Sequence, residues 1–439
     1  MGRSVQLAIK TTREMRVVHI NRSDARGGAS LAASRIVQAQ RGIGIDAKLL
    51  VGEKLTKAEW VVSIADSPVK KLQLTANFLR DLAAFYPHER NRLERFAFSP
   101  ALAGFDLSRH PLVREADIIH LHWFNQGFLS VKGLAKIFSL GKPVVWTLHD
   151  MWSFTGGCHY SGECESYTIK CGNCPKIIDP AKKDISFTQH KRKKKIYKHA
   201  PLSIVTCSKW LGSLAKESSL LRKHPVSSIP NPIDTELYSP CSRSEARERL
   251  SIPDDKKIIL FGAANVADPR KGMPLLLHAL RKMAKGRHAS NIRLVIFGKI
   301  PANIEEELPF PSHLMHYIND PKVLADLYNS ADLFVLPSLE DNLPNTVMEA
   351  LACGTPVAAF RIGGVPEMVA HGICGYLATP GSAEGLAEGM EHLLFNPDAE
   401  DYRRRSREKV RSNFAPELVA RRYQELYLSL HEGKMIENA

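Results

Sequence analysis

Two acids stand eight residues apart in the segment 337–356: Asp341, with Glu340 beside it, and Glu349. The segment leaves an apolar run at 333–336 and passes through a polar loop into a helical pattern that carries Glu349. That pattern stops at Gly354, and Pro356 opens a further strand at 357–360. Both acids therefore face one crevice beyond the carboxyl ends of parallel strands, where open α/β sheets take their ligands. Carboxylates accept hydrogen bonds from hydroxyls and helix-start amides hold phosphates, so the pair suits a ligand carrying both. Gly27-Gly28 stands between the first strand and the following helix, where a backbone without side chains lets amides approach a phosphate closely. Arg270 and Lys271 sit at the start of another helix, where cations crowd the positive dipole end unless an anion joins them. Neutralising a departing diphosphate is the chemistry that suits them. His149 ends the strand 143–149, and His120 and His122 end its neighbour. Each alone reads as a satisfied structural histidine, and together they make a polar cleft floor.

Short apolar strands alternating with helical patterns must position these residues. They read at 16–20, 47–51, 118–122, 143–149 and 203–207, then at 257–261, 293–298, 333–336, 357–360 and 375–378. Such alternation argues for parallel sheets built from βαβ units. With 439 residues the chain exceeds one typical core, and the prolines in Ile229-Pro230-Asn231-Pro232 stiffen a connector between two halves. The fold class is α/β, with two doubly wound Rossmann-like domains and an interdomain cleft. An amino-terminal extension covers 1–14, the first domain 15–232 with a cysteine-rich insertion at 156–176, and the second domain 233–415. An amphipathic helix and tail over 416–439 cross back to the first domain.

At 44% hydrophobic and 24% charged residues, the composition is that of a globular protein. No apolar run is long enough to span a bilayer, and the amino terminus has no signal-peptide core, so a cytoplasmic location is expected. The net charge of +14 is uneven: residues 1–232 carry 36 Lys and Arg against 18 Asp and Glu, and residues 233–439 carry 24 against 28. The first half should therefore meet something anionic. Two features there stand out. Cys158, Cys164, Cys171 and Cys174 gather half of the eight cysteines into 17 residues with spacing C-x5-C-x6-C-x2-C. In a reducing compartment this reads as a structural zinc site, with His159 able to replace one thiol, against free thiols in an acceptor loop. The second feature is the run from Lys191 to Lys198, with six cations in eight positions. A helix over 69–86 adds Leu72, Phe78, Leu79, Leu82 and Phe85 beside Lys70, Lys71 and Arg80. The two suit peripheral docking on the anionic inner face of a cytoplasmic membrane, and equally a core-packed helix with a solvated charge run.

The glycine pair, His149, residues 229–234, Lys271-Gly272, the acid-x7-acid loop and Gly363-Gly364-Val365-Pro366-Glu367 occur in this order. The set, from Met15 to about Leu430, resembles glycosyltransferase family 4, retaining GT-B enzymes that use nucleotide sugars. The resemblance implies that Glu349 holds the ribose hydroxyls and that Asp341 or Glu340 contacts the donor sugar. It implies that Gly27, Gly28 and Lys271 bind the diphosphate, with Arg270 adding charge, and that His149 sits near the reacting face. His149, Lys271 and Asp341 are then the catalytic set. The donor loop adds Asn342, Leu343, Asn345 and Thr346, and catalysis needs no metal or other cofactor. Three departures from the family pattern stand out. Aspartate takes the usual glutamate position, Asn342-Leu343-Pro344 replaces glycine-aromatic-glycine, and Ala264-Asn265 stands where an arginine is usual. Pro344 removes one amide from the sugar-facing loop, for which Asn342 or Asn345 can substitute.

The implied function is retaining transfer of a sugar from a nucleotide diphosphate sugar to a glycan or lipid-linked acceptor, in surface polysaccharide or lipopolysaccharide biosynthesis. Two other readings compete. A nucleic-acid-binding zinc-knuckle protein would use the basic strip, although that strip lacks interleaved aromatics, and nucleic acid is not an expected partner. A different GT-B enzyme, such as a nucleotide-sugar epimerase, would leave the basic, hydrophobic first domain unexplained.

Overall fold

The structure, a computed structural model, describes residues 15–92 and 95–432. The expected extension over 1–14 and the last residues of the tail lie outside them. In the first sheet β1 (Arg16–Ser23), β2 (Asp46–Glu53), β3 (Val61–Ser63), β4 (Ile118–Leu121), β5 (Val144–Leu148), β6 (Leu202–Thr206) and β7 (Val226–Ser228) run in the order β3-β2-β1-β4-β5-β6-β7. The second sheet holds β8 (Lys257–Asn265), β9 (Ile292–Lys299), β10 (Ser312–Leu314), β11 (Leu333–Leu336), β12 (Val357–Phe360) and β13 (Gly375–Ala378), ordered β10-β9-β8-β11-β12-β13. The ladders are parallel. Each sheet reverses its winding beside its first strand, between β1 and β4 and between β8 and β11, and those switch points open toward the cleft.

The near-continuous apolar strands follow from burial on both faces of a parallel sheet: Val144 to Leu148 and Leu333 to Leu336 are buried throughout. Helix Gly28–Gly42 turns Ala32, Ala33, Ile36, Val37 and Ala39 inward at helical spacing. Helix Pro416–His431 buries Val419, Tyr423, Leu426 and Tyr427 in the same core as Ile36, Val37, Val145 and Val205, so it belongs to the first domain's packing. The chain thus crosses between the domains twice, and the Ile233 amide donates to the Phe414 carbonyl at 3.0 Å where the crossings meet. β3, β7 and β10, three residues each, were not anticipated, and they edge their sheets.

Candidate active site

β8 ends in the 3-10 turn Pro269–Lys271, and Gly272 follows with φ of 71°. A Cβ on Gly272 would lie 1.8 Å from the Pro337 carbonyl oxygen, so only glycine lets this turn press against the end of β11. The Leu339 amide then donates to the Arg270 carbonyl at 2.8 Å. This contact brings Lys271 Nζ to 2.6 Å from Asp341 Oδ2. Glu340 points elsewhere and accepts the Gly162 amide of the cysteine-rich loop at 3.1 Å. Burial raises the pKa of its carboxyl. Of the two adjacent acids, Asp341 shares the lysine and Glu340 reaches across the cleft. Arg270 pairs with Asp268 at 2.7 Å, and its guanidinium stands 5.1 Å from the ring centre of Tyr160.

Glu349 is buried on helix Asn345–Ala352. It accepts Arg35 Nη2 of the first domain at 2.6 Å and the Tyr328 hydroxyl at 2.9 Å. Burial alone would lower the Arg35 pKa; the Glu349 carboxylate outweighs it and raises the value. Arg35 Nη1, Ser338 Oγ and Asn345 Oδ1 are buried without a hydrogen-bond partner among the described residues. Asn345 Nδ2 donates to the Gly28 carbonyl at 3.1 Å, which sets the loop after β11 against the glycine pair. Gly27, with φ of 86°, caps helix Gly28–Gly42 and has open space where its Cβ would stand. Pro344 occupies the N-cap of helix Asn345–Ala352 and no side chain caps it. Thr346 is half-buried in its first turn, and Leu343 packs into the second domain's core. Asn342 is a clasp between the domains: Oδ1 accepts the Ser208 hydroxyl, and Nδ2 donates to the His149 carbonyl at 3.2 Å. The Glu367 carboxylate likewise accepts the amides of Lys209 and Trp210, each at 2.9 Å.

Sequence reasoning missed Arg35. It lies seven residues after Gly28, two helical turns along and on the same face, and the signal was a cation amid the small and apolar residues of that helix. It also missed Tyr328 and Tyr160.

The histidines form a directed chain. His149 Nε2 meets His122 Nδ1 at 3.2 Å, His122 Nε2 meets His19 Nδ1 at 2.9 Å, and His19 Nε2 meets Gln40 Oε1 at 2.9 Å. Because Gln40 Oε1 can only accept, neutral rings assign Nε2–H to His19, then to His122, then to His149. His120 continues the network through the Tyr427 hydroxyl and Thr147 Oγ1. His149 therefore enters the cleft floor with Nε2 turned inward and Nδ1 3.8 Å from Cys207 Sγ. His19, His120 and His122 are the only three metal-capable side chains with ligand atoms within 4.8 Å of one another among the described residues. Their ring nitrogens are all taken by the hydrogen bonds above.

Burial holds these rings neutral. It lowers the His19 pKa to about 3 and the His149 pKa to about 4, and it puts His120 and His122 well below the usual value of 6.5. The unfolded chain takes up protons as pH falls through 6.5, whereas the folded chain takes them up only near 4 and 3. Stability present above 6.5 is therefore lost as the medium is acidified. Each ring contributes up to about 1.4 kcal/mol per pH unit in that window. In urea titrations the four rings should steepen the fall from about two protons bound on unfolding at pH 6.5 to nearly four at pH 5, with buried His190, also lowered to about 4, adding to it; a flat profile there would contradict the neutral chain.

The four clustered cysteines are free thiols lining one small cavity. His159 does not join them. Its Nδ1 lies 2.7 Å from Asp150 and its Nε2 2.8 Å from Ser99 Oγ, so the expectation that it could replace a thiol is corrected: Asp150 is the stronger partner. The basic run is also not one solvated strip. Lys191, Arg192, Lys194, Lys195 and Lys198 are exposed, but the helical turn carries Lys193 inward, to 1% exposure. There its ammonium donates to the carbonyls of Trp152 and Thr155, and burial lowers its pKa to about 7. Helix Pro68–Phe85 splits as well. Leu74 and Phe85 face inward, while Val69, Leu72 and Leu79 are 75%, 71% and 53% exposed. No helix among the described residues is long and apolar enough to cross a membrane.

Residues 27–237 match the family model described as Glycosyltransferase Family 4, and residues 242–412 match that described as Glycosyl transferases group 1. A D-inositol 3-phosphate glycosyltransferase of Thermobispora bispora is 27% identical over 297 residues, 64% of this chain and 63% of that protein. A lipopolysaccharide 1,2-N-acetylglucosaminetransferase of Salmonella typhimurium is 29% identical over 215 residues, 46% of this chain and 55% of its own length. The matched part of the chain thus spans less than two thirds of either relative. Among solved structures, sucrose-phosphate synthase from Thermosynechococcus elongatus superposes with a TM-score of 0.66 at 18% identity, over 96% of this chain and all of that one. The HepE protein of Anabaena in complex with UDP-glucose superposes with a TM-score of 0.64 at 15% identity, over 95% of this chain and all of that one. The two-domain architecture is the GT-B fold.

Proposed function

The chain belongs to glycosyltransferase family 4, and from that premise we propose that it transfers a sugar from a nucleoside diphosphate sugar to a hydroxyl of a glycan or lipid-linked acceptor, in building a surface polysaccharide or lipopolysaccharide. One observation carries the reading: Arg35–Glu349 and Lys271–Asp341 line the same interdomain cleft, with the buried, unpartnered Arg35 Nη1 and Asn345 Oδ1 beside them. An acid for ribose hydroxyls and cations for a diphosphate are what such a donor requires. The bound UDP-glucose of the HepE structure supports the donor class.

In this reading Glu349 takes the ribose, Asp341 takes a donor-sugar hydroxyl, and the diphosphate lies between Gly27-Gly28 and the start of helix Asn345–Ala352. As the sugar–oxygen bond breaks, negative charge grows on the diphosphate, and Lys271, Arg270 and the helix dipole stabilise it without a metal ion. The acceptor attacks from the leaving-group face and its proton passes to a diphosphate oxygen, which retains configuration at the anomeric carbon. The fixed cleft contributes orientation. His149 helps to hold the cleft closed through its carbonyl and the Asn342 clasp. A panel of UDP-, GDP- and ADP-sugars, assayed for binding and slow hydrolysis, tests the proposal. Failure to bind every nucleotide in the panel would sink it.

The acceptor side fits peripheral docking on an anionic membrane. The outward ridge of Val69, Leu72 and Leu79 carries Lys70, Lys71 and Arg80 beside it, and helix Ile185–Tyr197 of the same domain exposes Lys191, Arg192, Lys194 and Lys195. The end of the first helix, at Phe85, and the start of the second, at Ile185, belong to one apolar cluster with Phe98 and Ile177. Cations near such a surface contribute about 1 kcal/mol each. The chain should float with vesicles containing anionic lipid, and Leu72→Glu with Leu79→Glu should abolish flotation while donor hydrolysis persists. Equal partitioning to neutral vesicles would contradict the electrostatic part.

A further inference from the structure

We infer that Cys158, Cys164, Cys171 and Cys174 bind one zinc ion, which staples the acceptor-side loop to the first domain. The four sulfurs line a single cavity of about 20 Å³ that also includes Phe98 and Tyr167. Two further observations point to a metal. First, Cys171-Gly172-Asn173-Cys174 is a tight knuckle: Asn173 takes the left-handed conformation with φ of 49°. The Asn173 amide donates to the Ala181 carbonyl at 2.8 Å and the Cys174 amide to Asp184 Oδ2 at 2.9 Å, so the knuckle's backbone is pinned. A pinned knuckle presents its two sulfurs in a fixed orientation to a common ligand. Second, Lys193 is buried beside this cavity with no carboxylate at ion-pair distance among the described residues, and its ammonium lies 3.4 Å from the centre of the Trp152 indole. A buried ammonium requires a counter-charge, and a zinc ion held by four thiolates carries two negative charges.

The sulfurs stand farther apart than a bound ion would hold them, since among the described residues only the three histidines bring metal-capable atoms within 4.8 Å of one another. Binding would draw them inward across the cavity and release their protons. Soft thiolates in a C-x2-C knuckle select zinc over the hard cations. The same loop carries Tyr160 against Arg270 and Gly162 against Glu340, so the ion would fix the only part of this insertion that reaches across the cleft in the contacts described above.

Elemental analysis of the full chain, purified without chelator and dialysed, should find about one zinc per chain. Cys171→Ser with Cys174→Ser should lose it, and Cys241→Ser, at the exposed cysteine outside the loop, should keep it. If the double variant does not fold, cobalt(II) exchanged into the unaltered chain should give the visible bands and sulfur charge-transfer absorption of a tetrahedral thiolate site. Absence of metal, iron in place of zinc, disulfides among these cysteines in the unreduced chain, or an octahedral cobalt spectrum would each overturn the assignment. Nucleotide binding by the unaltered chain reads out the donor cleft independently of all four results.

Discussion

Lys271→Ala is expected to lower kcat by about a hundred- to a thousand-fold, the loss usual when one preorganised group facing developing charge is removed. The structure gives the reason for placing the effect on kcat. Lys271 is held at 2.6 Å by Asp341, on a turn fixed by Gly272 against Pro337. The ammonium is thus positioned in advance, and in the proposed reaction its attraction would strengthen as the diphosphate gains charge on leaving. An interaction that grows toward the transition state acts on the chemical step. Lys271→Arg should recover only part of the rate, because a planar guanidinium cannot replace a compact ammonium at the same point. Steady-state kinetics on the preferred donor decide the matter. A raised KM with unchanged kcat would show that Lys271 holds donor and transition state alike, and the leaving-group role would fall.

Glu349→Ala should weaken nucleotide binding by about ten- to a hundred-fold, from the roughly 1.5–3 kcal/mol of hydrogen bonds made to a charged group. The same substitution strands Arg35, whose guanidinium is buried against Glu349. Removing one partner of a buried pair costs about 3–5 kcal/mol of stability. Two measurements separate the effects: the melting temperature without ligand reads the stranded arginine, and the nucleotide-induced increment reads the ribose contact. Glu349→Gln keeps an acceptor for Arg35 and Tyr328, so it should melt closer to the unaltered chain and bind between the two. Unchanged affinity in the alanine variant, measured by calorimetry, would remove Glu349 from the nucleotide site.

The two acids were legible because their segment is punctuated. An apolar strand, a polar loop, a helix closed by Gly354 and a strand opened by Pro356 leave little choice of geometry. The partners of those acids were not legible. Arg35 is separated from Glu349 by 314 residues, and no local spacing announces a contact made by two domains closing. The long central strands were readable from continuous apolar runs, while β3, β7 and β10 are too short to show any period. Lys193 shows a third limit. A run of cations reads as solvated, yet a helix turns every 3.6 residues and must carry some member of a long run toward the core. Which member it carries depends on neighbours, here Trp152 and Thr155, that sequence spacing does not reveal. His159 was misread for a similar reason, because adjacency to Cys158 said nothing of the direction in which its ring points.

The double crossing between the domains has a mechanical consequence. A single tether would leave the second domain free to swing and to twist about its own axis. Here the chain passes over at residues 229–233 and returns at 414–416, and the Ile233–Phe414 hydrogen bond ties the two passages side by side. Two adjacent pivots define a line, and rotation about that line is the soft motion left to the pair. The cleft should accordingly open like a book along its spine, with Arg35–Glu349 and the Asn342 and Glu367 contacts parting in a fixed order set by their distance from that axis, while sideways shear of one sheet past the other stays stiff.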